Sequence, residues 1–189
     1  MRKLFIFLFI VTLPIVLVTG QNLPKKIIIL ISEQNIDSPQ RAWWASEIDL
    51  SMTETVIAKR LIDEGFVVLG PEKVSNKIKQ KPAFRIVQLS EESSLELADA
   101  VEADYVLLGK AIVSAGSKVL NSNMRSCFAN ITAKLLRTKD KQIVGYFEAD
   151  AVSAHLDAIT GGKEALTKAA EILSQKILDV LKKEGGKQE

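Results

Sequence analysis

The sequence predicts an α/β protein: a single three-layer-like domain with a mixed sheet, a βαβ start, a C-terminal antiparallel hairpin and a long final helix. Three observations carry this. Ile27 to Ile31 is an unbroken aliphatic run followed, after a helical segment, by a second short apolar run, Phe66 to Leu69. Arg125 to Arg137 and Gln142 to Val152 alternate with period two across a short polar turn, the signature of paired half-buried strands. Leu166, Ala169, Leu173, Ile177, Val180 and Leu181 then recur at helical spacing, as on a helix that buries one face.

The first twenty residues belong to a different kind of segment. Arg2 and Lys3 precede Leu4 to Val18, an almost continuous apolar run broken by Pro14, and Val18-Thr19-Gly20 supplies modest side chains before a cut. This is the layout of a cleavable export signal. The run of about 15 residues is shorter than the roughly 20 needed to span a bilayer. Residues 1–20 are therefore expected to be removed before Gln21, with retention as an anchor the alternative. The expected domain is 21–184, with 185–189 as a tail. Removing the signal takes away two basic residues and no acidic ones, leaving 23 of each sign. A balanced domain of this kind offers no polybasic surface for nucleic acid or anionic lipid.

Ile27 to Ile31 reads as a central strand buried on both faces. Ser32 to Gln40 is polar and contains Pro39, a loop pattern. Arg41 to Glu64 is expected to be one long helix, closed by Gly65. On its wheel Trp43, Leu50, Ile57, Ala58, Leu61 and Ile62 face the sheet, while Trp44, Ile48, Met52 and Val56 make a second stripe. That stripe is either covered by loops or a neighbouring helix, or is a partner interface, since aromatic and Met side chains are enriched in interface cores. Phe66 to Leu69 is a short buried strand, parallel to the first if the two pair directly.

Lys73, Lys77 and Lys79 lie in a stretch from Glu72 to Gln80, with Lys81 directly after it, that reads as a solvated helix face. Ala83 to Leu89 is ambiguous between strand and connector. Ser90, followed by Glu91 and Glu92, is an N-cap pattern, and Leu95, Ala98 and Val101 have helical spacing. Asp104 to Val113 is another central strand, whose apolar run Tyr105 to Leu108 is expected to stop at Gly109. Ala115 to Met124 reads as a loop. In the hairpin, Cys127, Ala129, Ile131, Ala133 and Leu135 share one face. Ile143, Gly145, Phe147, Ala149 and Ala151 share the matching face of the next strand. His155 to Gly162 reads as a loop and Thr160 as the cap of a last helix from Gly161 to Lys183.

Little in this sequence speaks for catalysis. One histidine and one cysteine cannot build a His/Cys zinc site. Glu148 and Asp150 share a strand face and are expected to pair with lysines across the hairpin, Lys134 among them. His155 and Asp157 lack a Gly-x-Ser-x-Gly elbow for a nucleophile. Thr160-Gly161-Gly162-Lys163 could bind an anion through helix N-terminal amides but lacks P-loop spacing, so a capping turn is expected. Cys127, the lone cysteine, is expected to be a buried small hydrophobe. No cofactor, metal or catalytic residue is expected.

Four segments carry a family resemblance: Leu61-Ile62-Asp63-Glu64-Gly65-Phe66-Val67-Val68, Ala103-Asp104-Tyr105-Val106-Leu107-Leu108-Gly109, the hairpin from Ile131 to Gly145, and the Ala-rich last helix. Together they resemble an α/β domain of bacterial envelope proteins. It is shared by the middle domain of flagellar assembly protein T, the curli secretion channel, the penicillin-binding-protein activator lipoproteins and the N-terminal domain of the Tol-Pal translocation protein B. The resemblance implies a Gram-negative periplasmic protein, outer-membrane association included, that binds other envelope proteins without catalysis, as an adaptor or assembly factor of a machine such as the flagellar basal body. An allosteric regulator of a cell-wall synthase and an anion or small-molecule binding module are the alternatives, and a homo-oligomer remains open. The sequence departs from the lipoproteins in lacking a lipobox cysteine, and from the channel in lacking long alternating membrane hairpins.

Overall fold

A computed structural model describes residues 24–36, 40–42, 50–80 and 89–185. The expected signal, both tryptophans and most of 83–89 lie outside those residues. Five strands form one mixed sheet in the order β2-β1-β3-β4-β5. They are β1 (Lys26–Gln34), β2 (Val67–Leu69), β3 (Tyr105–Lys118), β4 (Arg125–Arg137) and β5 (Gln142–His155). The helices are α1 (Met52–Asp63), α2 (Pro71–Gln80), α3 (Glu91–Ala100) and α4 (Ala158–Gly185). β1 pairs parallel with both β2 and β3, while β3, β4 and β5 run antiparallel. This is the expected α/β class, with the βαβ start, the C-terminal hairpin and the long last helix all present.

Two apolar clusters make the layers. On one face α1 and α4 bury Ile57, Leu61, Leu166, Leu173 and Ile177 against Ile29, Leu107, Ile131 and Leu135. Each fully buried Leu or Ile contributes about 1.5–3 kcal/mol, so this is the principal core. α4 also presents Ala165, Ala169 and Ala170, and the sheet beneath presents Ala111, Ala129, Ala133 and Ala149, all buried. Small residues on both sides let the helix lie close to the strands. On the other face α2 and α3 bury Val74, Leu95, Leu97 and Ala98 against Ile28, Leu30, Val106 and Leu136.

The Ala103-Asp104-Tyr105 step is a clamp. The Asp104 carboxylate accepts the Lys26 N–H at 2.7 Å. Its own N–H donates to the Lys26 carbonyl, and its carbonyl accepts the Thr138 N–H. One residue thus aligns the start of β1, the start of β3 and the end of β4. Gly109 lies inside β3, because any Cβ there would sit 2.6 Å from the Thr132 carbonyl oxygen and 2.9 Å from the Ala133 Cβ.

Several expectations are corrected. The long helix from Arg41 does not form: α1 begins at Met52, capped by Ser51 in a full capping box with Glu54. The Ser51-Met52-Thr53-Glu54 spacing is the sequence mark of a helix start, and it outweighs the apolar periodicity upstream. Ile62 is 56% exposed, since α4 and the sheet cover only the Ile57–Leu61 side. β2 is an edge strand with Val67 exposed. β3 does not end near Val113 but runs to Lys118, because β4 keeps pairing with it. The apolar face of β5 is split: the register passes from Leu135↔Gly145 to Leu136↔Ile143 and leaves Val144 as a bulge. Ile143 consequently packs with the α2–α3 cluster and Val144 with the α4 cluster.

The ends of the helices explain two positive-φ residues. Gly65 (φ +86°) follows α1, with the Phe66 N–H returning to the Leu61 carbonyl at 3.0 Å. Glu102 (φ 55°) takes the corresponding place after α3, with the Ala103 N–H returning to the Ala98 carbonyl at 2.9 Å. Both are left-handed C-terminal caps, but only the first uses glycine.

Candidate functional site

The strand register sets out a grid on the face of the sheet that carries α2 and α3. Its rows are Val106–Leu136–Ile143, Leu108–Lys134–Tyr146, Lys110–Thr132–Glu148, Ile112–Asn130–Asp150 and Ser114–Phe128–Val152. The first row is covered by the α2–α3 cluster, with Leu108 at its border. The rows beyond are open at their β4–β5 end, where Tyr146 is 73%, Val152 53% and Phe128 45% exposed. Phe128 and Val152 are cross-strand neighbours at one end of this face and Tyr146 stands at the other, with Glu148 and Asp150 between them, so exposed apolar side chains flank a polar centre.

The patch is built, not frayed. The Phe128 ring lies over Gly116, where a Cβ would meet its Cε2 at 2.3 Å. Asn130 reaches across to β5 and donates to Glu148 Oε1 at 3.0 Å and to Asp150 Oδ1 at 2.8 Å. That amide holds two carboxylates side by side. Lys134, expected to neutralise them, is directed to Glu91 of α3, because its cross-strand partner on β5 is Tyr146 and not an acid. Among the described residues no ion pair to Glu148 or Asp150 is formed. A cleft of about 530 Å³ opens where this face meets Leu30, Leu89 and Leu108, with Lys110, Thr132 and Tyr146 on its walls.

The other sequence candidates resolve differently. Met52 is 38% exposed on the first turn of α1. Val56 is half-buried against the main core. Trp44 and Ile48 lie outside the described residues. Met52 and Val56 both belong to α1, which begins at Met52 after an extended Ser51. At the start of α4 the Asp157 carboxylate accepts from both the Thr160 N–H and hydroxyl, and those bonds hold it below the usual carboxylate range. Asp157 is therefore the cap expected of Thr160. Gly161 and Gly162 sit inside the helix and are buried. The Gly161 N–H is already bonded to the Asp157 carbonyl. A Cβ on Gly161 would meet Cys127 Sγ at 2.7 Å, and one on Gly162 would meet Asn35 Oδ1 at 2.3 Å. The glycines thus serve close packing, and the anion-binding reading of this pair is not supported.

His155 Nδ1 accepts the Asp157 main-chain N–H at 3.0 Å; it meets the backbone of its neighbour, not the carboxylate that a relay would need. Cys127 is fully buried, and burial raises its thiol pKa, as for an inert core thiol. Glu54 is the one buried carboxylate among the described residues, accepting the Ile31 N–H at 3.1 Å and the Ser51 N–H at 2.9 Å. Burial raises its pKa despite those bonds. Its position beneath α1 makes it a structural tie between helix start and β1. Among the described residues no cluster of His, Cys, Asp and Glu could hold a metal ion, and no helix is long and apolar enough to cross a membrane.

No protein-family model matches the sequence, and no curated protein does. Solved structures do resemble it. The C-terminal domain of LpoB from Salmonella enterica is similar over 70% of this chain and 85% of its own, at 14% identity and a TM-score of 0.44. The lipoprotein GNA1162 from Neisseria meningitidis is similar over 82% of this chain and 99% of its own, at 13% identity and a TM-score of 0.49. PelC from Paraburkholderia phytofirmans, a dodecamer, is similar over 79% and 87%, at 14% identity and a TM-score of 0.44.

Proposed function

We propose that the chain is a non-catalytic protein-binding adaptor of a Gram-negative cell envelope, exported to the periplasm by cleavage of residues 1–20. The observation that carries this is the open end of the sheet: Phe128, Tyr146 and Val152 exposed together on a face whose polar centre is pre-arranged by Asn130. Away from that face, Asp157 is taken up in capping α4, Glu54 in tying α1 to β1, and Cys127 in the core. Met52 and Val56, with Trp44 and Ile48, form a second contact in the same proposal. The flagellar basal body is the finer assignment drawn from the family resemblance, and a cell-wall synthase is its rival; the identity of the bound partner decides between them.

A tagged Phe128→Ser, Tyr146→Ser double variant tests the reading. Both side chains are exposed, so unfolding stability should stay within about 1 kcal/mol of wild type. Co-purification of a defined envelope protein with wild type should be lost in the variant. Equal recovery of that protein by both forms would remove this face from the account.

A further inference from the structure

The open face ends at a strand edge, and the backbone there is directional. The Thr132 carbonyl crowds Gly109 of β3, so even-numbered residues of β4 pair toward β3 and odd-numbered ones toward β5. Through the register Ala133↔Phe147 and Ile131↔Ala149, the odd-numbered residues of β5 are then the ones bonded to β4. A second contact agrees: the Lys176 ammonium on α4 donates to the Glu148 carbonyl at 2.7 Å, which requires that carbonyl to point away from β4. The N–H and C=O groups of Tyr146, Glu148, Asp150 and Val152 therefore face outward, along an edge of roughly 20 Å. Among the described residues β5 is the last strand of the sheet.

Long free edges are normally blunted against aggregation by charge, by bulges or by short length. This one is blunted selectively. Its side chains read apolar, acid, acid, apolar, with the outer two among the most exposed apolar groups of the described residues. A second copy is disfavoured by charge. The antiparallel register that fully overlaps Tyr146–Val152 sets the Glu148 carboxylate of each copy against the Asp150 carboxylate of the other, and like charges directly opposite are destabilising. The same two carboxylates, held parallel by Asn130, are complementary to cations spaced two residues apart on an added strand.

Resting on the adaptor reading, we propose that β5 receives, as a sixth strand, an extended segment of another protein with lysine or arginine at two alternate positions, flanked on the same side by apolar residues. Main-chain bonds supply affinity, and the carboxylate pair with its apolar flanks selects the sequence, as in other strand-addition complexes. Lys176 is the provisional cap that the incoming N–H displaces from the Glu148 carbonyl.

The test uses the purified protein and three nine-residue peptides with threonine at the odd positions: one with valine, lysine, lysine and valine at positions 2, 4, 6 and 8, so that all four share a face, one with glutamate in place of both lysines, and the lysine peptide N-methylated at alternate amides. The lysine peptide should bind saturably and protect the outward amides of Tyr146, Glu148, Asp150 and Val152 from hydrogen exchange. N-methylation of the pairing amides should weaken binding at least tenfold. The Glu148→Lys, Asp150→Lys double variant should lose about tenfold for the lysine peptide and gain affinity for the glutamate peptide. Indifference to N-methylation, or binding with no protection on β5, overturns the proposal even where the variant fails to fold. Protection of β5 that rises with protein concentration alone would assign the edge to a second copy and also overturn it. If a cross-linked envelope partner is found on the face without β5 protection, strand addition falls while the adaptor reading stands.

Discussion

Replacing Gly161 by alanine sets two opposed effects against each other at one site. Inside a helix, alanine is favoured over glycine by about 1 kcal/mol. The new Cβ, however, would sit 2.7 Å from Cys127 Sγ and 3.0 Å from the His155 Cβ. Both atoms are carried by strands β4 and β5, paired residue for residue at Arg125↔His155 and Cys127↔Ser153, so neither can retreat without moving the sheet or α4. Overpacking of a tight site costs about 1–3 kcal/mol. Loss of the Ser153 hydroxyl bond to the Gly161 carbonyl, present at 2.5 Å, adds to that if the helix shifts. The net expectation is destabilisation by about 1–2 kcal/mol, a fall of roughly 2–8 °C in Tm for a domain of this size. Urea denaturation with an unchanged m-value measures it. Gly70→Ala is the control: nothing lies within 4 Å of its Cβ position, and the change should fall within about 0.5 kcal/mol of zero. A Gly161→Ala protein stabilised by about 1 kcal/mol would refute the close-packing account. So would a stabilisation of wild type by inorganic phosphate that disappears in the variant, since that would restore an anion role to the pair.

Three further outcomes follow from other sites. Glu102→Gly should stabilise by about 0.5–1 kcal/mol, because it relieves a left-handed residue and removes only an exposed 3.5 Å ion pair with Lys26; a loss of stability by thermal melting would show that the ion pair outweighs the strain. Burial raises the Glu54 pKa above 4.5, so its contribution is complete below pH 4.5 and declines as pH rises through the raised folded value. Glu54→Gln cannot titrate, and its disadvantage relative to wild type should narrow over that interval in urea titrations; a gap that widens with pH would mean the Ser51 and Ile31 hydrogen bonds prevail over burial. Glu148→Val combined with Asp150→Val should make the β5 edge self-adhesive, seen as concentration-dependent dimer or aggregate in sedimentation, whereas a strictly monomeric variant would show that these charges do not guard the edge.

What the sequence makes legible follows from where its patterns are local. Ile27 to Ile31 reports burial as an unbroken apolar run, the alternation of Arg125 to Arg137 and the stripe of α4 each report it by one fixed period, and each becomes the element expected. Gly65 and Ser90 signal a helix end and a helix start through backbone chemistry and behave so. The failures arise where two local signals compete or where a distant partner decides. Apolar spacing from Arg41 onward suggests one helix, yet the Ser51–Glu54 capping box starts it afresh. β3 outlasts its apolar half because β4 supplies hydrogen bonds to Lys118. Gly161 and Gly162 look like a ligand loop until Cys127 and Asn35 are seen against them. The open face was half legible: Glu148 and Asp150 visibly share a side of β5, and Phe128 and Asn130 share a side of β4. What alternation cannot say is which side the helices leave uncovered, nor that Asn130, not Lys134, reaches the acids. The register does.

The central claim is that the β4–β5 end of the sheet, opposite α4, is the working surface. Site-specific photo-cross-linking tests it most directly, with the reactive group placed at Tyr146 on that face or at Ile172 on the exposed side of α4. In native envelopes the Tyr146 position should give one discrete adduct, competed away by added wild-type protein but not by the Phe128→Ser, Tyr146→Ser variant, while Ile172 gives none of that adduct. The same adduct from Ile172 alone, with Tyr146 silent, would contradict the account.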